Sequence, residues 1–477
     1  MAFGPVPGRA YTKPHMSQAS TSPQATEVPQ PENSSTKISI WRMTVTEWLI
    51  CAVACIGFAF DTYVLLVLTL IVRPALLEML PPTAGPAVFN RWVGLLFYVP
   101  AIAGGVFGLL GGYLIDLLGR RRILLWSILL YGACTFASAY ASTPGQFLLL
   151  RCGTFVGVSV EFVAATAWLA ELFTHRERRE AVIGYTQGFA STGGLLISAA
   201  YYIAVTYSQR LPMIHGGHEA WRYTAISGLI PAIPLILLRP FLPESPIWKR
   251  KKAEGTLKRP SFAELFRPAF RKTALLTCLM MACAYAASFG MLQHFARIIP
   301  GTPGVRVLPA AAQEQRVGYL QGVQEMGGLA GRLLMAFLAV HVLSRRRLLR
   351  LFQIPGLLLI PLVMFLPAVR DMDMSTAGIF ALGFLTVAQF SFWGNYLPLV
   401  YPTYLRGTGE AFAANIGGRM LGTSAALLVT SMVEFMPGGT GSRQLAYAAG
   451  IVGLLSYLVG FLASFWLPEP SLESTPD

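Results

Sequence analysis

Apolar runs of 18 or more residues recur from residue 47 to residue 467, separated by short polar connections. About 20 apolar residues in a helix cross the hydrocarbon of a bilayer, and a soluble core has no use for so many such runs. The pattern predicts twelve spans, at 47–70, 92–116, 122–142, 145–171, 181–206, 220–242, 272–294, 316–341, 348–367, 374–398, 407–434 and 443–467. The expected fold class is an all-α membrane protein with twelve transmembrane helices in two six-helix halves. Residues 1–40 are rich in Pro, Ser, Thr and Gln and hold no apolar block, which predicts a disordered cytoplasmic tail and not a signal peptide.

Charge sets the orientation. Only 13% of the 477 residues are charged, about half of what a soluble protein carries. With the amino terminus inside, the inner segments hold 24 Lys and Arg and the outer connections nine. That asymmetry predicts both termini in the cytoplasm of a multi-pass protein of the cell membrane. The net charge of +14 is then a topology signal and does not point to a nucleic-acid partner. The six cysteines all lie within apolar runs and form neither a disulfide framework nor a metal spacing.

The chain also repeats. "LIDLLGRRRILL" (114–125) matches "AVHVLSRRRLLR" (339–350) at an offset of 225, and "LPESP" (242–246) matches "LPEP" (467–470) at the same offset. "HRERREA" (175–181) parallels "YLRGTGEA" (404–411) at an offset near 230. The duplication predicts a first bundle at 45–243, a basic cytoplasmic linker at 244–271, a second bundle at 272–468 and a cytoplasmic tail at 469–477, with the binding site where the halves meet.

Between two apolar runs stands "GGYLIDLLGRRR" (111–122), with "PESP" after the sixth span and "YLRGTG" before the eleventh. With these motifs the chain, from residue 45 to residue 470, resembles the major facilitator superfamily. Gly112, Asp116, Gly119, Arg120 and Arg121 then read as a conformational latch at the cytoplasmic mouth. Asp116 is placed to accept bonds from helix-start amides or from an arginine across the interface. Gly104, Gly108 and Gly112 recur every four residues and leave one helix face bare for a close neighbour. The three arginines also serve topology, and the two readings are compatible. In the second copy His341 replaces the acid and Ser344 the glycine, so that latch is degenerate.

Six ionisable groups fall within predicted spans: Asp61, Arg151, Glu161, Glu325, Arg332 and Arg419. Each costs roughly 2.5–3.5 kcal/mol at the centre of a helix, so such groups face a wet path for protons or substrate. Span one, "CIGFAFDTYVLLVL", resembles the aromatic-acid and metabolite proton symporters of the superfamily, with Phe58, Ala59, Phe60 and Asp61 standing where that subgroup carries Asp-Gly-Phe-Asp. A structural role for Asp61, capping a kinked helix, is the alternative. In span four, Arg151 and Glu161 lie about 80° apart and about 15 Å along the axis. They are not a pair, and inter-helix bonding is the alternative to a proton role. Asp61 is expected to be the proton site, with Glu161 second, Glu325 a further candidate and Arg151 tuning the neighbourhood.

Substrate contacts are expected from Tyr63, Gln187, the stripe Gln321, Gln324 and Arg332 on span eight, Gln389, Trp393, Asn395 and Tyr396 on span ten, and Arg419 beside Asn415 on span eleven. Trp393 and Tyr396 are equally well read as packing. The chain has no phosphate-binding loop, no His-Glu-x-x-His and no nucleophile elbow, and His218 and Glu219 lack a second ligand. No enzymatic activity, cofactor or metal is expected. The reading is a monomeric secondary active transporter in the lipid bilayer, working by alternating access, with protons driving symport of a small organic anion, a carboxylate, with an aromatic one among those that the subgroup resemblance implies. The alternatives are a proton-driven efflux pump and a transporter-like sensor.

Overall fold

A computed structural model describes residues 43–173, 188–230, 243–255, 261–342, 344–402, 405–439 and 441–469, with isolated positions between them. The predicted tail at 1–40 lies outside these residues apart from two positions, and so does the tail beyond residue 469. The chain divides into Met1–Arg42 and Met43–Asp477, and every helix named here belongs to the second unit.

Among the described residues every regular element is helical, apart from an isolated bridge between Ile214 and Gly217. Those of eight residues or more are, in chain order, α1 (Val45–Met79), α2 (Pro86–Leu118), α3 (Arg120–Ser138), α4 (Pro144–Leu172), α5 (Ala190–Tyr207), α6 (Ala220–Ser227), α7 (Pro246–Ala253), α8 (Arg271–Gly290), α9 (Ala310–His341), α10 (Arg345–Ile360), α11 (Thr376–Val400), a π-helix over Phe412–Gly422, α12 (Ala425–Met432) and α13 (Gly441–Ala463). Local chemistry sets the starts. Thr44 and Glu47 form a reciprocal capping box before α1, Thr143 caps α4 with Pro144 at its first position, and Ser344 and Ser375 cap α10 and α11. Gly119 joins α2 to α3 at φ +98°, in the half of backbone space that side chains avoid.

Eight of these helical stretches are long and apolar enough to cross a membrane among the described residues. The predicted spans at 181–206 and 220–242 fall partly outside the described residues. The other two form helices that are more polar. α3 opens on three arginines, and α9 carries Gln321, Gln324, Glu325 and Arg332. Apolar side chains instead face outward, with Trp126, Leu149, Leu333, Phe337 and Leu358 each 60–73% exposed. A soluble surface does not carry such a belt, whereas lipid requires it.

Small residues set the helix crossings. A side chain at Gly327 or Gly331 of α9 would collide with the α11 backbone at Phe380 or Phe384. The α2 glycines serve two neighbours and not the one face expected of them. Gly104 meets Phe155 and Ser159 of α4, while Gly108 meets Asn415 of the π-helix. Four residues advance a helix by about 400°, so a four-residue repeat drifts by about 40° per step and reaches a second partner.

Candidate functional site

α1 is 35 residues long and Asp61 sits near its middle. Its carboxylate lies 3.5 Å from the guanidinium of Arg419, which the π-helix carries. Both side chains are buried, at 7% and 3% exposure. The pair joins the N-terminal half of the chain to the C-terminal half. Arg419 also donates to Asn415 Oδ1 at 2.9 Å and lies over the ring of Phe162, 5.0 Å from its centroid. Phe162 in turn meets Phe58 edge to face, 6.0 Å between centroids. A π-helical stretch widens the backbone and redirects side chains, and here that stretch carries both Asn415 and Arg419 inward.

Glu161 of α4 approaches the same place. A side chain at Gly57, one turn before Asp61, would meet Glu161 Oε1 at 2.8 Å. Neither carboxyl oxygen of Glu161 has a hydrogen-bond partner, and neither does Asp61 Oδ1. The hydroxyl of Tyr131 on α3 is buried and faces Glu161 closely enough to act on it, but outside hydrogen-bond geometry. Three ionisable side chains, Asp61, Glu161 and Arg419, thus gather at one buried place from helices of both halves of the chain.

Arg151 is placed differently. It donates to the α1 carbonyls of Val64 and Leu65, at 2.8 Å each, and lies over its own helix's Phe155. It clamps α4 to α1 about a turn beyond Asp61 and makes no bond to Glu161. Tyr63 is turned away as well. Two residues beyond Asp61 it points about 200° round the helix, and its hydroxyl bonds Ser227 of α6 at 2.6 Å.

The polar stripe of α9 collects on Glu325, which accepts from Gln321 Nε2 at 2.9 Å and from Gln324 Nε2 at 3.2 Å. Glu325 packs onto Gly194 of α5, so this carboxyl also lies between the two halves of the chain. Arg332 lies over Phe390, 5.8 Å from the ring centroid. Gln389 donates to Leu385 O at 3.4 Å on its own helix. Trp393 and Tyr396 are fully buried in an aromatic cluster with Phe392, and the Tyr396 hydroxyl donates to Pro468 O at 2.7 Å. Gln187 and the side chain of Asn395 lie outside the described residues.

At the latch loop, Arg120 pairs with Glu171 of α4 at 2.8 Å. Glu244, from "PESP", accepts the backbone N–H of Arg121 at 3.2 Å. The second half repeats the device with Glu469, which accepts from the Ser344 hydroxyl and from the N–H groups of Arg345 and Arg346 at 2.7–3.0 Å. The correspondence extends to Trp168, which donates to Pro243 O at 3.0 Å as Tyr396 does to Pro468 O. Gly112 lies within α2, and the side chains of Asp116 and His341 lie outside the described residues. Sequence reasoning passed over Glu171, Glu244, Glu469 and Tyr131. For two of them a signal existed, since "LPESP" and the Gly119 loop share one repeat offset, and groups that repeat together are candidates to touch.

Known proteins resemble the chain in sequence and in fold. The family model described as Major Facilitator Superfamily matches residues 49–427. A probable 4-methylmuconolactone transporter of Cupriavidus pinatubonensis is 24% identical over 391 residues, covering 80% of this chain and 85% of that protein. A cis,cis-muconate transport protein of Acinetobacter baylyi is 25% identical over 383 residues, covering 78% and 83%. A 3-(3-hydroxy-phenyl)propionate transporter of Escherichia coli is 28% identical over 358 residues, covering 73% and 81%. Among solved structures, a D-xylose-proton symporter superposes with a TM-score of 0.68 at 19% identity, covering 89% of this chain and 99% of that one.

Proposed function

The chain belongs to the Major Facilitator Superfamily, as a multi-pass membrane transporter and not an enzyme, and from that premise we propose that it couples proton entry to symport of a small organic carboxylate. The observation that carries the reading is the buried Asp61–Arg419 pair between the halves of the chain. While Asp61 is ionised it occupies Arg419. A proton on Asp61 removes the competing charge, and Arg419 is then free to bind a substrate carboxylate in its place. Proton and substrate thus load together, because either alone leaves an uncompensated buried charge.

Phe162 and Phe58 beside Arg419 offer an apolar, aromatic wall, which suits a ring or a conjugated chain. The names of the relatives, for muconate and hydroxyphenylpropionate, point the same way. Glu161 is the second proton carrier, Glu325 a third candidate, and Arg151 holds α1 in register with α4. Gln321, Gln324, Arg332 and Gln389 are further substrate-facing groups of the second half. Two six-helix halves rock about this centre, with the loop of Gly112, Asp116, Gly119, Arg120 and Arg121 as the latch. The working unit is a monomer with both termini in the cytoplasm, and it needs no cofactor.

The test is uptake by proteoliposomes of labelled cis,cis-muconate, 4-hydroxybenzoate and 3-(3-hydroxyphenyl)propionate, beside D-xylose and an organic cation, with and without an imposed pH gradient. At least one carboxylate should accumulate, and only with the gradient acid outside. Accumulation of xylose or the cation alone, or accumulation indifferent to the gradient, refutes the reading.

A further inference from the structure

Twelve residues beyond Asp61, about 18 Å along α1, a second group of charges joins the two halves of the chain. Arg73 of α1 pairs with Glu314 of α9 at 2.5 Å, and the Tyr201 hydroxyl of α5 donates to the other oxygen of Glu314 at 2.5 Å. Next to them, in the short helical turns that follow α8, stand His294 and Arg297. Arg297 donates to Asn90 Oδ1 of α2 at 2.6 Å and lies over Phe89. Gln315 of α9 donates to Thr206 of α5 at 3.3 Å. This end of the molecule is therefore laced shut across the halves, while the bonds described at the Gly119 end stay within each half.

The lacing leaves a charge over. Glu314 is the acid of the group, and it is committed to Arg73 and Tyr201. Arg297 finds neutral partners: the amide oxygen of Asn90, an aromatic face, and His294 Nδ1 at 3.4 Å. No carboxylate among the described residues pairs with it. A guanidinium can only donate, so His294 Nδ1 must accept, and the proton of a neutral imidazole then stands on Nε2. That Nε2 has no partner, in a side chain only 1% exposed. A cation without a carboxylate partner thus stands at the seam of two moving halves, with a buried N–H that has no acceptor on the far side of the adjoining imidazole ring, and a guanidinium so placed is the complement of a carboxylate.

We propose that Arg297 and His294 form a second anion site, which takes the carboxylate of an incoming or departing substrate before or after it is held at Arg419. It rests on the reading of the transported molecule as an organic carboxylate. Opening this end separates Arg73 from Glu314 and presents two arginines and the His294 donor to the solvent. The mouth is then net positive, which concentrates anions there. The Arg73–Glu314 pair supplies the ionic lock of the gate, and the contact of Arg297 with Asn90 needs no charge, so the positive charge of Arg297 is surplus to closure and useful to capture.

The probe is benzoate, in equilibrium binding to the purified full-length protein at low ionic strength. In the Arg419→Gln variant a weak, salt-sensitive benzoate site should remain. Adding Arg297→Gln should weaken that site by about tenfold or more, the worth of one charge-assisted contact, whereas Arg297→Lys should retain most of it. Glu314→Gln should tighten it by unlocking the end. In the wild-type background Arg297→Gln should turn a two-site isotherm into a one-site isotherm. In transport, Arg297→Gln should raise KM by more than it lowers kcat. Loss of all benzoate binding in Arg419→Gln alone, or indifference of the residual site to Arg297→Gln, overturns the second site. So does a fall in kcat at unchanged KM, which would make Arg297 a structural contact. If benzoate binds through Arg297 while no carboxylate accumulates in vesicles, the second site stands and the transport reading falls.

Discussion

The pair at the centre can be tested by a double-mutant cycle of Asp61→Asn and Arg419→Gln. At 3.5 Å separation and an effective dielectric constant of about 20, the Coulomb attraction is about 5 kcal/mol. Desolvation of two ions offsets much of it, so the pair itself adds little net stability. Breaking it is another matter. Removing one partner strands the other at 3–7% exposure, which costs about 3–5 kcal/mol. Each single variant should therefore melt well below wild type in detergent, and the double variant should recover at least about 2 kcal/mol of the summed loss. Transport adds a second readout. Asp61→Asn leaves Arg419 permanently free for substrate, so vesicles should keep counterflow exchange and lose accumulation driven by a pH gradient. Arg419→Gln should lose both. Additive effects on melting would show that the two charges do not meet in the membrane. Accumulation at normal levels in Asp61→Asn would make Asp61 structural and move the coupling to Glu161 or Glu325.

Other consequences follow from single residues. Glu161→Gln removes a buried carboxyl that has no hydrogen-bond partner, so melting should change by no more than about 1 kcal/mol while gradient-driven accumulation falls; a large loss of stability would show a structural bond instead. Gly119→Ala should cost about 1–3 kcal/mol, because φ is +98° and the new methyl meets Glu244 Oε2 at 2.6 Å. Ser344→Gly at the matching place, where φ is −84°, should cost less than about 1 kcal/mol, and equal losses would deny the asymmetry of the two loops. Arg151→Lys keeps the charge but cannot reproduce the forked donation to Val64 O and Leu65 O, so about 1–3 kcal/mol of thermal stability should go; a shifted pH profile of uptake with unchanged melting would place Arg151 in the coupling path instead. A cysteine at Arg306 should react with an impermeant maleimide from outside intact cells, and labelling from the cytoplasmic side alone would overturn the predicted orientation.

Much of this protein is written in one dimension. Long apolar runs have to become helices in lipid because no other conformation of a single segment satisfies its backbone there, and Thr143 with Pro144 or Ser344 before its arginines marks where such helices begin. The cost of burying Asp61, Glu161, Glu325 and Arg419 in hydrocarbon singled them out before any fold was known. The separation of Arg151 from Glu161 followed from helical pitch alone, and the structure sends Arg151 to the α1 carbonyls and Glu161 to Gly57. What pitch could not supply was the partner. Asp61 and Arg419 lie 358 positions apart in the chain, and nothing local to either one names the other. Trp393 and Tyr396 fell on a plausible stripe, yet the azimuth that faces a ligand is also one that faces Phe392 and Pro468. Glu244 and Glu469 read as ordinary acids after a proline until the turn of each half brought them under the starts of α3 and α10. Which charges meet depends on how whole helices are tilted and crossed, and those angles come from small residues such as Gly104, Gly327 and Gly331 approaching helices far away in the chain. The energy of placing a charge in lipid is a property of the residue, whereas the compensation of that energy belongs to the packing.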